Sequence, residues 1–357
     1  MLQAQVNYDI IFTSHITTTS ERMRYMSNAN YQSARFSDID PAKAYAAAKK
    51  LTKKIETVII GKHREVVLLA TALFAGTHVL IEDVPGVGKT TLAGALSAAA
   101  GLDFRRAQFT PDITASDITG YNIYSRNTEK FEFTNGLVMT NILLADEINR
   151  ASPKTQSALL EAMEEGSVTV DGKTYDIPKP FMVIATQNPS GFVGTHPLPE
   201  AQLDRFGIRL SMGYPSLDEE INIVEHHNTQ NTKESVTPVM SANLVGFLRE
   251  LVTDVKIDRE ICRYIVTLCR ATRTHSAVSL GASPRASIII KRLAQAYAFM
   301  NSRAYVIPED VFDVFKAATA HRLILNRDAV MRGVTCDSVI DEILSQTEIP
   351  YKSKRPS

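Results

Sequence analysis

The sequence predicts an α/β domain built on a parallel sheet, followed by an all-α domain. Two observations carry that prediction. Between residues 41 and 214 short apolar runs alternate with amphipathic stretches, the pattern of strands whose connecting helices cover both faces of a sheet. Beyond Pro215 the apolar residues keep a helical period and strand-like runs stop. A length of 357 residues suits two domains and a large core.

Taken in order, residues 1–40 are rich in Ser, Thr, Asn and Gln without a sustained period and read as an extension of unassigned role. Asp40-Pro41 then opens a helix that runs to Gly61, where "IIGKHREVVLLATALFAG" starts a second. The first strand is "HVLIE" at 78–82, and the helix after it is closed by Gly101. Further strands are expected at 104–109, 141–146, 181–186 and 207–212. Ser152-Pro153 supplies an N-cap and a first-turn proline for a helix that Gly166 ends. Two hairpins interrupt this alternation. One spans 167–178 around Asp171-Gly172, a strong tight-turn pair, and a weaker one spans 121–133 around Arg126-Asn127. Helices are expected at about 217–229, 241–253, 258–274, 284–302 and 308–320. The boundaries that follow are 41–214 for the α/β core, 215–345 for the helical domain and 346–357 for a polar tail.

Composition limits the functional classes. Acidic and basic residues balance at 39 each, so no global field attracts nucleic acid or anionic lipid. The three cysteines, Cys262, Cys269 and Cys336, form no C-x-x-C pair and read as buried thiols of a reducing compartment. No run approaches the ~18 apolar residues of a membrane span. The start of the chain lacks a basic segment followed by an apolar one, so a cytoplasmic location is expected.

The chemistry begins at "IEDVPGVGKTT". A strand ends at Glu82, a turn follows, and Lys89-Thr90 open a helix. Backbone N–H groups of such a turn and helix start wrap phosphates, and glycines allow close approach. The candidate nucleotide contacts are Pro85, Gly86, Val87, Gly88, Lys89, Thr90 and Thr91. Lys89 suits the β- and γ-phosphates, and the Thr90 hydroxyl suits Mg²⁺. One position departs from the G-x-x-x-x-G-K-[ST] pattern: Asp83 stands where the first glycine is usual. That position only begins the turn, and Asp suits a turn start by accepting from nearby N–H groups. Its carboxylate is therefore expected to point away from the phosphates.

A second motif, "NILLADEINR", sets Asp146 and Glu147 at the end of a buried strand, where open α/β sheets bind ligands. Asp146 suits Mg²⁺, and Glu147 suits a base for water attack on the γ-phosphate. Asn188, leaving the strand "FMVIAT", suits a bridge between that water and the phosphate. Arg205 ends a helix just before a strand and could enter a neighbouring subunit's site, the arginine-finger role. Arg285 sits in the first turn of a helix, against the helix dipole, which suggests an anionic partner.

In this order the five features resemble the Walker A, Walker B, sensor 1, arginine finger and sensor 2 elements of an AAA+ P-loop ATPase. The stretches "RAQFTPDITASDITG", "NILLADEINRASPKTQSALLEAMEEGSVTVDG", "VIATQNP" and "LPEAQLDRF" are similar to the MoxR family, of the helix-2-insert clade. The resemblance covers about residues 45 to 330. It implies Ile60 and Gly61 beside the adenine, with Thr90 and Asp146 at Mg²⁺. Glu147, Asn188, Arg205 and Arg285 are then the catalytic set, and the 121–133 hairpin is the clade's insert. It further implies ATP hydrolysis, a homo-oligomer (usually a hexameric ring), a von Willebrand factor A domain partner, and chaperone-like maturation or activation of a client complex. The alternatives are the motor subunit of a metal chelatase and an AAA+ transcriptional regulator. No helix-turn-helix or basic tail supports the latter.

Overall fold

The computed structural model describes residues 41–84, 86–187, 196–226 and 236–351. Five strands form the central sheet: β1 (His78–Glu82), β2 (Phe104–Gln108), β5 (Ile142–Asp146), β8 (Met182–Gln187) and β9 (Phe206–Leu210). Their order is β2-β5-β8-β1-β9, and every neighbouring pair is parallel. All five fall where the alternation of the sequence places them.

Period-two patterning decides which face each side chain covers. In β1, Val79 and Ile81 face one buried cluster while Leu80 faces the other. Ile142 and Leu144 are likewise set against Leu143 and Ala145, and Met182 and Ile184 against Val183 and Ala185. Strands buried on both faces read as continuous apolar runs. Each Val, Leu, Ile or Met among them contributes roughly 1.5–3 kcal/mol of burial.

Helices α1 (Pro41–Glu56), α2 (His63–Ala75) and α3 (Lys89–Ala100) pack on the first face. Helix α5 (Pro153–Glu165) covers the second, capped by the Ser152 hydroxyl and closed by Gly166 in the left-handed region. Both hairpins are present. Strands β3 (Gly120–Ser125) and β4 (Lys130–Asn135) pair after the short helix α4 (Ala115–Thr119), and they leave Tyr124 and Phe131 exposed. Strands β6 (Ser167–Val170) and β7 (Lys173–Asp176) turn at Asp171 and Gly172, whose φ values of 50° and 78° are those of a mirror-image hairpin turn. The short helix α6 (Glu200–Leu203) leads into β9. At Gly207 in β9 an added Cβ would lie 2.4 Å from Thr77 Cβ, so only glycine fits this close approach of two chain segments.

Beyond β9 the chain is helical: α7 (Leu217–His226), α8 (Ala242–Thr253), α9 (Arg259–Thr274), α10 (Pro284–Met300) and α11 (Pro308–Thr319) match the five expected helices. Two further helices follow, α12 (Arg327–Met331) and α13 (Cys336–Gln346), and one small antiparallel pair, β10 (Val278–Leu280) with β11 (Ile324–Leu325). The first buried cluster of the sheet continues without a break into Leu248, Ile265, Leu293 and Phe315 of this lid. Buried cations add direct ties. Arg249 donates to Leu73 O at the end of α2 (2.8 Å), and burial pushes its pKa down to about 10. Arg322 Nε donates to Asp204 Oδ1 (2.7 Å) and Nη2 to Asp204 O (3.0 Å). Among the described residues no helix is long and apolar enough to cross a membrane.

Candidate nucleotide site

The site lies at the carboxyl edge of the sheet, where β1, β5 and β8 end. After Glu82 the chain turns into α3 through Gly86 and Gly88, both at φ 88°. Nothing lies within 4 Å of a Cβ built on Gly86, so backbone conformation rather than space demands glycine there. Helix α3 starts at Lys89 with no side-chain cap among the described residues. The N–H groups of its first turn, Lys89, Thr90 and Thr91 among them, thus form the kind of donor set that receives an anion. Pro85, predicted within this loop, lies outside the described residues. Lys89 is buried, and its ammonium donates to the backbone oxygen of Asp83 at 2.5 Å. Desolvation pushes its pKa below the usual lysine value, against the opposing pull of Asp83, Asp146, Glu147 and Glu82.

Asp146 and Glu147 lie at the end of β5, one strand away from β8. The Thr186 hydroxyl on β8 donates to Asp146 Oδ1 (2.6 Å) and accepts from the Glu147 N–H (2.9 Å). One buried threonine thus fixes both acids. Glu147 adopts φ 55°, a left-handed conformation uncommon outside glycine that carries strain of about 1–3 kcal/mol. Strain of this kind persists where surrounding contacts hold it, and it turns the carboxylate off the strand direction.

Two arginines cover these acids: Arg150, which the family resemblance also suggests as a contact to a nucleotide across a subunit boundary, and Arg106, which no sequence motif singles out. Arg106 on β2 grips Asp146 Oδ2 through Nε (3.1 Å) and Nη2 (2.7 Å), and Arg150 Nη1 donates to Glu147 Oε2 (2.8 Å). Arg106 lies two residues before Gln108, whose register partner is Asp146, and therefore on the same face; strand pairing sets that register and leaves no local signal in the sequence.

Comparison with known proteins agrees with this geometry. Residues 78–208 match the model for the ATPase family associated with various cellular activities (AAA), and residues 270–343 match the AAA lid domain. The chain is 48% identical to the uncharacterized protein YeaC of Bacillus subtilis, over 85% of this chain and 95% of that protein. It is 38% identical to Chaperone MoxR1 of Mycobacterium tuberculosis, over 85% of this chain and 82% of that one. A crystal structure from Cytophaga hutchinsonii, assigned provisionally as an ATPase, superposes with a TM-score of 0.80 at 37% identity, covering 86% and 96% of the two chains. The chain belongs to the MoxR family of AAA+ ATPases.

The remaining MoxR-type positions separate into two places. Ile60 and Gly61, expected near the base, lie in the loop between α1 and α2. Gly61 has φ 75°, and a Cβ there would lie 1.8 Å from Glu219 Oε1, so the loop presses against the start of the lid. Lys62 Nζ next to it donates to Tyr214 O (3.2 Å). Asn188, the expected sensor 1, lies outside the described residues, although β8 carries the chain to Gln187 beside it.

Arg205 and Arg285 lie elsewhere. They meet on one carboxylate: Arg205 Nη2 stands 3.0 Å from Glu164 Oε2 and Arg285 Nη1 3.2 Å from Glu164 Oε1, while Arg205 Nη1 also donates to Leu160 O (2.6 Å). This trio belongs to the amino edge of the sheet. Arg205 precedes Phe206, which is in register with His78 at the start of β1. Burial, helped by the positive charge of Arg249 and Arg285, lowers the His78 pKa to about 4. The five residues of β1 separate that edge from the phosphate loop by about 16 Å. The structure therefore brings the two arginines together but does not bring either to the chain's own Lys89.

For a cation, the oxygens at hand are the Thr90 hydroxyl and the Asp146 carboxylate. Among the described residues no cluster of three His, Cys, Asp or Glu side chains could hold a metal. Two hard oxygen donors fit an ion completed by water and phosphate oxygens, as Mg²⁺ usually is.

Proposed function

We propose that this protein hydrolyses ATP to ADP and phosphate, with Mg²⁺, at sites completed between copies of itself. It uses the energy in a chaperone-like way to remodel or activate a partner protein complex. The observation that carries this reading is the split arrangement: phosphate loop and acids at one edge of the sheet, two arginines sharing Glu164 at the other. A single subunit cannot close such a site, whereas a ring can, which supports a homo-oligomer and, by family resemblance, a hexamer. The chaperone-named relative supports the biological role, and a von Willebrand factor A domain partner follows from the same resemblance.

In this reading Gly86, Val87, Gly88 and the first-turn N–H groups hold the phosphates, with Pro85 in the same loop, and Lys89 moves from Asp83 O to the γ-phosphate. Ile60 and Gly61 flank the adenine. Thr90 and Asp146 would hold Mg²⁺, which would offset phosphate charge. Arg106 must release Asp146 for that role. Glu147 takes the proton of the attacking water as Arg150 lets go, and Asn188 orients that water. Arg205, joined by Arg285, leaves Glu164 for the nucleotide of the adjoining copy and offsets the charge that develops on the phosphoryl group.

The test is ATPase rate per subunit against protein concentration, with light scattering to follow assembly. The rate should rise as rings form. A flat rate across the monomer-to-ring transition would show each subunit to be self-sufficient. Glu147→Gln, holding ATP without turnover, should retain the client as bait for mass spectrometry.

A further inference from the structure

Asp83 is where the chain departs from the usual phosphate loop, and the structure shows what the departure achieves. Its side chain is buried, with one carboxylate oxygen directed at the segment that follows β9. Oδ1 accepts from the Val84 N–H (2.9 Å). Oδ2 accepts from the Met212 N–H (2.5 Å), the Gly213 N–H (2.7 Å) and the Ser211 hydroxyl (3.2 Å). Residues 211–213 begin the linker between β9 and the lid helix α7. A glycine at position 83 could make none of these contacts.

The same residue faces the nucleotide loop through its backbone, since Asp83 O accepts from Lys89 Nζ. One residue therefore holds the phosphate-binding lysine with its carbonyl and the lid linker with its carboxylate. The linker touches the site at further points. The Met212 Cε lies 3.9 Å from a Cβ built on Gly88, and Tyr214 O takes the Lys62 ammonium beside Gly61. Charge-assisted bonds from a buried carboxylate to backbone N–H groups are short, and they are worth about twice a neutral bond. The coupling is thus mechanically stiff.

We propose that Asp83 is a positioning residue that couples occupancy of the phosphate loop to the setting of the lid. This rests on ATP binding at Lys89. When a γ-phosphate takes Lys89, Asp83 O loses its donor. The start of the loop then relaxes, and the carboxylate carries residues 211–213 with it, so the lid moves with nucleotide state. An ordinary glycine at position 83 would bind nucleotide without passing the change on.

The decisive variant is Asp83→Gly, which restores the usual pattern, with Asp83→Asn as the conservative partner. Amide hydrogen exchange at Met212 and Gly213 is measured with and without ATP, alongside ATP affinity by calorimetry and steady-state kinetics. In the native protein these amides should be protected and should change on adding ATP. In Asp83→Gly they should exchange fast in both states, with ATP affinity kept within about threefold and kcat reduced at least about tenfold. Asp83→Asn, which keeps one acceptor oxygen, should fall between. Native-like linker exchange and kcat in folded Asp83→Gly would overturn the proposal, as would outright loss of ATP binding, since Asp83 would then serve the cradle itself. Failure of the native protein to bind ATP would instead remove the functional reading beneath it. Should Asp83→Gly fail to fold by circular dichroism, Asp83→Asn alone decides by the same two readouts.

Discussion

At the carboxyl edge of the sheet Asp83, Asp146 and Glu147 act on one buried lysine, Lys89. At the amino edge Arg205 and Arg285 share one carboxylate, Glu164. The first edge gathers acids around a lysine, and the second gathers two arginines around one acid. The difference teaches that each chain matches its charges locally, and in the proposed reading the working site matches its charges between chains. Arg106 on Asp146, Arg150 on Glu147 and Glu164 on the two arginines are the local matches. Each surface ion pair is worth only about 0–1 kcal/mol, so exchange for a nucleotide phosphate carries little cost.

That contrast can be broken most sharply at Arg205. Arg205→Ala should lower turnover by about 10³-fold while the same subunit still binds ATP with native affinity. Mixing it with Glu147→Gln subunits should restore part of the activity, because some interfaces then pair an intact Glu147 with an intact Arg205. Absence of any recovery in a titration of mixed rings would place Arg205 in its own subunit's chemistry. Acting on the other edge, Glu147→Gln should reduce turnover by about 10²–10⁴-fold with ATP affinity unchanged, a split that equilibrium binding and single-turnover assays measure. Lys89→Ala differs again: it should weaken ATP binding itself, by at least about tenfold in calorimetry.

Smaller effects test the frame that holds the edges apart. Asp204→Ala strands the buried Arg322 guanidinium and should destabilise the fold by about 3 kcal/mol in denaturant unfolding. His78 gives a pH signature. Its Nδ1 accepts from the Val183 N–H (3.0 Å) and its Nε2 pairs with Met163 O (3.1 Å), an arrangement that suits the neutral ring. With the folded pKa lowered to about 4 and the unfolded value near 6.5, the unfolded chain takes up the proton first. Stability should therefore fall as pH drops from about 6.5 towards 4. In thermal melts His78→Gln should flatten part of that slope.

Much of this was legible in the sequence for a physical reason: the relevant signals are local. Apolar runs such as "ILLAD", the turn pair Asp171-Gly172 and the glycines around Lys89 act on their own neighbours, so spacing reveals them. What escaped depends on contacts across the fold. Arg106 finds Asp146 only because β2 and β5 are paired, and the partners of Asp83 lie near residue 212. The meeting of Arg205 with Arg285 requires the lid to be docked. Strands β10 and β11, of three and two residues, are too short to show a period, and their pairing joins segments more than forty residues apart.

The tight fit of Gly207 against Thr77 has a consequence for inheritance of defects. Any larger residue at this position must push back the beginning of β9, and with it Arg205 two residues earlier. The carrier of such a change would keep its own phosphate loop, acids and bound nucleotide. If Arg205 serves the adjoining copy, as proposed, the loss would fall on the sound chain beside it, and in a mixed ring a lesion at Gly207 would behave as dominant over the normal copy.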